Sequence, residues 1–138
     1  MHIALIAHDK KKELMVQFCM AYKSIFSKHK LCATRTTGSM IVEATVLNVE
    51  KLLAGHQGGV QQIAARIAYD EIDLVLCFRD PVSARKYEPD LSNLMSLCDI
   101  HSVPIATNSA TAEVLIQGLE RGDLDWRNIL NPKNKVQD

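Results

Sequence analysis

Residues 72–78, IDLVLCF, are apolar at every position but Asp73. A short run that is apolar on adjacent and alternate positions alike fits a strand buried on both faces, as at the centre of a parallel sheet. Similar short runs occur at HIALIAH (2–8), KLCAT (30–34) and VPIATN (103–108), with a weaker strand or turn around 47–49. Between them lie stretches with apolar residues at helical spacing: 11–29, 38–45, 60–70, 90–101 and 110–122. Pro89 suits the start of the fourth of these helices, and Gly122 the end of the last. Strands alternating with helices predict an α/β fold, a five-stranded, mostly parallel sheet with helices on both faces.

The chain has 138 residues, enough for one domain with a real core. Residues 1–130 read as that domain and 131–138, NPKNKVQD, as a polar, frayed tail. Sixteen basic and 16 acidic side chains balance to a net charge of zero, which argues against a nucleic-acid or membrane-surface binder. No apolar run approaches the roughly 18–20 residues of a membrane span. The apolar start is too short for a secretory signal and is followed by DKKK. The four cysteines, Cys19, Cys32, Cys77 and Cys98, contain no CxxC pair. They read as buried free thiols of a reducing, cytoplasmic compartment. No His or Cys pair has metal-ligand spacing, and neither a Walker A loop nor a GxGxxG fingerprint is present.

In a sheet of this kind ligands bind beyond the carboxyl ends of the strands. Those ends carry HDKKK, TRTTG, AGHQGG, RDP and TNSAT, so polar, charged and glycine-rich residues gather at one rim. Thr34, Thr36 and Thr37 at a helix start offer hydroxyls and amides for a phosphate, or a helix cap. Lys12 stands one turn into the first helix, within reach of the same rim, or belongs to a solvated charge run. His8 is a ligand donor or a satisfied rim histidine. Asp80 and Asp90 are candidates for proton transfer, with helix-dipole complementation the plain alternative for Asp90. Tyr87 donates to a ligand or packs. Asn108 or Ser109 reads as a helix cap. A response-regulator receiver would want paired acids after the first strand and a lysine after the last; the last strand here ends ATNSAT.

Taken in order, HIALIAHDKKK, ATRTTG, GGVQQI, FRDP, EPD and PIATNSATAE resemble methylglyoxal synthase from residue 1 to about residue 130. The resemblance implies a flavodoxin-like domain and a homohexamer. It also implies conversion of dihydroxyacetone phosphate to methylglyoxal and inorganic phosphate, with no cofactor or metal. In that family an aspartate removes a proton from the carbon between carbonyl and hydroxyl. Histidine and other donors stabilise the enediolate, and Lys, Thr and Ser groups hold the phosphate. Carried over, His8 and Lys12 match the substrate-binding histidine and lysine. Thr34, Thr36 and Thr37 match the phosphate-loop hydroxyls, Gly55 matches the glycine of a serine–glycine pair, and Asp9, Asp80 and Asp90 match three acids around the site.

Four positions depart from the family pattern. Arg35 replaces the first glycine of TGTTG; if that position has positive φ, the arginine carries strain of roughly 1–2 kcal/mol. Ala54 replaces the phosphate-contacting serine. Tyr87 replaces a histidine. Val60 replaces the catalytic aspartate, and valine accepts no proton at any pH. Losing a positioned base costs about 10²–10⁴-fold. The sequence therefore reads as a family member that binds dihydroxyacetone phosphate or phosphate with impaired catalysis. Asp80 or Asp90 as a relocated base is the active-enzyme reading. A second class remains open: a ligand-sensing regulatory module, since a similar domain serves as the allosteric domain of carbamoyl phosphate synthetases.

Overall fold

A computed structural model describes residues 1–83 and 88–137. The strands are β1 (His2–Ala7), β2 (Lys30–Ala33), β3 (Val49–Lys51), β4 (Leu74–Phe78) and β5 (Ile105–Ala106). They form one sheet in which every neighbouring pair is parallel. The helices are α1 (Lys12–Ala21), α2 (Lys23–Phe26), α3 (Arg35–Thr45), α4 (Gly59–Ala68), α5 (Ser92–His101) and α6 (Ser109–Arg121).

Strand alternation sorts the core into two layers. Ile3, Leu5 and Ala7 of β1 face a cluster with Met15 and Phe18 of α1, Ile41 of α3 and Ile116 of α6. Ala4 and Ile6 face the opposite cluster, which holds Val60, Ile63 and Ile67 of α4 with Leu94 and Cys98 of α5. Helices therefore cover both faces, as the alternation predicts. The sheet order is β3-β2-β1-β4-β5. A flavodoxin places its third strand on the other side of the first; here β2 and β3 extend to one side of β1, and β4 and β5 to the other. The chain thus changes direction at the β1–β4 boundary, the switch point at which a doubly wound sheet opens its ligand crevice.

Several boundaries differ from the sequence reading. The 11–29 helix is preceded by a 3-10 turn, Asp9–Lys11, and is broken at Tyr22 (φ −111°, ψ 25°) into α1 and α2. α3 begins three residues before the expected Gly38, because Thr34 in extended backbone (φ −61°, ψ 151°) already turns the chain into the helix. Asn108 caps α6, its Oδ1 accepting from the Thr111 amide at 3.0 Å, in line with the sequence. No helix among the described residues is long and apolar enough to cross a membrane.

The segment read as a frayed tail is anchored at its start. Asn131 is fully buried, and its Nδ2 donates to Asp73 Oδ2 at 2.9 Å. Asn134 donates to the same oxygen at 3.1 Å, and so does the His2 amide at 2.9 Å. The buried Arg127 completes this latch. It donates to Asp73 Oδ1 (3.2 Å), Ser102 O (2.7 Å) and Ile72 O (3.1 Å). A polar composition alone does not show that a distant carboxylate in IDLVLCF waits for these donors.

Candidate active site

The carboxyl ends of β1, β2, β3 and β4 surround a cavity of about 210 Å³. This is smaller than the about 300–1,000 Å³ of pockets for drug-sized ligands and suits a small metabolite. β1 contributes Ile6 and Ala7 and delivers His8, Asp9 and Lys12. Thr34 and Thr36 come from the start of α3; Ala54, Gly55 and His56 from the segment before α4; Glu88 and Pro89 from the segment after β4. The structure thus brings together His8, Lys12, Thr34, Thr36 and Gly55 from three separate stretches of sequence. Thr37, fully buried, lies outside the lining, and its Oγ1 has no hydrogen-bond partner among the described residues.

His8 is held on two sides. Its amide donates to Phe78 O at 3.0 Å, and its Nδ1 accepts from the Asp80 amide at 2.9 Å. An Nδ1 that accepts carries no proton, so the ring proton resides on Nε2. Nε2 is buried and has no partner among the described residues. A neutral imidazole with an unengaged N–H at the mouth of a strand is a donor suited to a developing oxyanion.

Lys12 turns back along the chain. Its Nζ donates to Ala7 O at 2.6 Å and lies 3.2 Å from Asp9 Oδ1. Its charge is thereby fixed beside the end of β1. Thr34 and Thr36 sit where α3 starts, and the first amides of a helix have no intrahelical acceptor. A lysine, hydroxyls and helix-start amides on one small cavity make an anion cradle.

The glycine-rich turn has its own steric logic. Gly58 has φ +109°, a conformation that L side chains rarely adopt. A Cβ on Gly59 would stand 2.0 Å from Leu53 O, so no side chain fits there. The turn folds tightly: the Gln57 and Gly59 amides both donate to Ala54 O, at 2.9 and 3.0 Å. Val60 follows directly and is 4 % exposed, packed among Leu52, Ile63 and Leu91. It is absent from the cavity lining, although its Cγ2 lies 4.0 Å from a Cβ built on Gly55. The position that the resemblance gives to the base is thus part of the apolar core.

The strain expected at Arg35 is not there. Arg35 is the first residue of α3 and is not among the residues with positive φ, which outside glycine are Val46, Asp70 and Ser102. Arg35 stands in the first turn of the helix, where arginine fits.

Asp80 and Asp90 stand near the rim but outside the lining. Asp80 accepts from the Val82 amide (3.2 Å), the Ser83 amide (3.0 Å) and Ser83 Oγ (2.8 Å). Those donors, the Ser83 amide foremost, hold its carboxyl below the usual carboxylate range. Asp90 is exposed and accepts from the Ser92 amide (2.9 Å) and Ser92 Oγ (2.8 Å), which lower it likewise. Both carboxylates are engaged in local turns. Tyr87 lies outside the described residues.

Glu88 was given no role by sequence reasoning. Its side chain is 6 % exposed; Oε1 accepts from the Asp9 amide at 3.1 Å, while Oε2 has no hydrogen-bond partner among the described residues. Oε2 lies 3.5 Å from His8 Nδ1, but this is no ion pair, because Nδ1 already accepts from Asp80. The only cue in the sequence was a carboxylate before proline in a strand-end loop.

The cysteines are all buried and unpaired. Burial pushes the Cys19 and Cys77 thiols up to about 12 and those of Cys32 and Cys98 up to about 11. None is a nucleophile at neutral pH. Among the described residues, no group of three or more His, Cys, Asp or Glu side chains is placed to hold a metal ion.

Residues 14–107 match the family model described as "MGS-like domain". The chain is 62 % identical over 133 residues to the methylglyoxal synthase of Caldicellulosiruptor saccharolyticus, covering 96 % of this chain and 94 % of that one. It is 56 % identical over 135 residues to that of Geobacillus thermodenitrificans, covering 98 % and 94 %. The crystal structure of methylglyoxal synthase from Elizabethkingia anophelis superposes with a TM-score of 0.81 at 37 % identity, covering 83 % of this chain and 76 % of that one. With this fold and these relatives, the chain belongs to the methylglyoxal synthase family.

Proposed function

We propose that this protein binds dihydroxyacetone phosphate in the cavity and converts it to methylglyoxal and inorganic phosphate slowly. The observation that carries the binding half is the gathering of Lys12, Thr34, Thr36, Gly55 and His8 on one small cavity at the switch point. Lys12 and the α3 start hold the phosphate. His8 Nε2–H meets the carbonyl oxygen, where negative charge develops when the neighbouring carbon loses a proton. The slowness follows from Val60. An apolar side chain in the core takes no proton, which costs about 10²–10⁴-fold in rate. Ala54 lines the cavity without a hydroxyl and removes one phosphate donor.

Calorimetric titration with inorganic phosphate and with dihydroxyacetone phosphate tests the binding half. Binding at or below millimolar concentration is expected, with Lys12→Met weaker by about tenfold, the loss of one charge-assisted contact. Absence of binding at several millimolar contradicts the reading.

A second reading is favoured by the burial of Val60: a module that senses a small phosphorylated metabolite without reacting. It differs by one result, saturable binding with no methylglyoxal formed. The homohexamer and the cytoplasmic location implied by the family belong to this proposal. Light scattering reads the former, and a monomer in solution would contradict it.

A further inference from the structure

A carboxylate oxygen that is buried without a donor is costly and calls for an explanation. Among the described residues, Glu88 Oε2 is one. Glu88 lines the same cavity as His8, Lys12 and Thr34, with Oε2 buried at its wall. Glu88 Oε1 is fixed by the Asp9 amide, which orients the carboxylate and leaves Oε2 without a hydrogen bond. The other acids near the rim are occupied: Asp80 by Val82 and Ser83, Asp90 by Ser92, and Asp9 by Lys12. Val60 offers nothing.

We propose that Glu88 is the proton acceptor in this chain, a catalytic residue recruited where the family's base has become Val60. The inference rests on dihydroxyacetone phosphate occupying the cavity. The C–H bond of the hydroxyl-bearing carbon breaks and an O–H bond forms at Glu88 Oε2. The electron pair left on carbon becomes the C=C bond of an enediolate, and the carbonyl oxygen takes the negative charge, with His8 Nε2–H as its donor. The hydroxyl oxygen then loses its proton to water and forms the aldehyde C=O. The C=C bond moves to the phosphate-bearing carbon, whose bond to oxygen breaks, and phosphate departs with that pair. The enolate so formed takes a proton on its terminal carbon while its oxygen re-forms the ketone C=O, and is methylglyoxal. The proton held by Glu88 returns to solvent or to that carbon, so no oxidant, reductant or metal enters.

Neither half of the site suffices alone. The imidazole N–H polarises the carbonyl and removes no proton, whereas a carboxylate without a facing donor would leave the enediolate unstabilised. The carboxylate and the imidazole are neighbours, Glu88 Oε2 lying 3.5 Å from the unprotonated His8 Nδ1 and the ring N–H being on Nε2.

Proton abstraction can be read without phosphate release, by NMR of deuterium entering the hydroxymethyl carbon of dihydroxyacetone phosphate in D₂O. The parent is expected to exchange above the protein-free rate. Glu88→Gln is expected to lose at least about 10²-fold of that exchange, while calorimetry shows phosphate binding unchanged. Glu88→Asp keeps the carboxylate, draws it back by one methylene, and is expected to retain a measurable part of the exchange. A parent that binds dihydroxyacetone phosphate but does not exchange it overturns the inference and leaves the binding site standing. So does a Glu88→Gln variant that exchanges at the parent rate. A parent that binds neither phosphate nor dihydroxyacetone phosphate overturns the proposed function itself, and the inference with it. If Glu88→Gln does not fold, Glu88→Asp decides: exchange at least about tenfold slower with binding intact supports the assignment, and exchange at the parent rate refutes it.

Discussion

Arg35 shows how a residue can break a family pattern without breaking the backbone. It opens α3 in ordinary helical conformation, and its side chain is exposed. Restoring glycine there is expected to destabilise the fold by about 0.5–1 kcal/mol, because glycine gives up more backbone freedom on entering a helix. Chemical denaturation reads this, and a Arg35→Gly variant more stable than the parent would mean that the arginine is strained. Val60 is the reverse case: it suits the fold, and it stands where the resemblance puts the base. Its side chain completes the cluster around Ile63 and Leu91. Two substitutions side by side in a sequence comparison therefore have opposite meanings, which only the backbone angle and the burial separate.

At the scale of elements, the turn that leads into α4 links the fold to the site. Ala54 O gathers two amides, Gly58 supplies positive φ, and Gly59 passes Leu53 O with no room for a methyl group. Gly59→Ala is expected to cost more than about 2 kcal/mol and to weaken phosphate binding, since Gly55 and His56 move with the turn. Thermal unfolding and calorimetry together check it; a variant with the parent's stability and affinity would show that the turn yields easily. Glycines before an apolar helical stretch announced this element from the sequence, and the strand–helix alternation announced the sheet. What the sequence could not give was strand order, because parallel strands carry no mark of which neighbour they pair with. It also could not give the fate of Asp80 and Asp90. Whether a rim carboxylate faces a ligand or caps its own turn depends on one or two local dihedral angles. Glu88 was missed for the same reason: its neighbours Asp9 and His8 are about 80 residues away in the chain, and only folding brings them together.

The whole molecule has two polar ends with different purposes. At the carboxyl end of the sheet, Glu88 and His8 line a cavity, and Glu88 Oε2 and His8 Nε2 are buried without a hydrogen-bond partner among the described residues. At the opposite end, Asp73 accepts from Arg127, Asn131, Asn134 and the His2 amide, so both of its oxygens are engaged. That latch is structural. Removing one partner strands a buried charge, so Arg127→Met is expected to cost about 3–5 kcal/mol. The melting temperature should fall by roughly 10 °C or more while phosphate affinity, measured below that temperature, stays unchanged. A fall in affinity with stability intact would place Arg127 in the functional site after all. The latch was invisible in the sequence because Arg127 stands in a polar, tryptophan-bearing stretch with no periodicity, and Asp73 is a single acid inside an apolar strand.

In the proposed function Lys12, Thr34 and Thr36 hold the phosphate, short of one donor at Ala54, while Val60 stands where the resemblance puts the base. Steady-state formation of methylglyoxal from dihydroxyacetone phosphate, with the parent and Val60→Asp side by side, tests it most directly. The parent is expected well below ordinary enzyme turnover of roughly 1–10³ s⁻¹, and Val60→Asp is expected to gain at least about 10²-fold. A parent that already turns over at ordinary rates, or a folded Val60→Asp that is no faster, would contradict it.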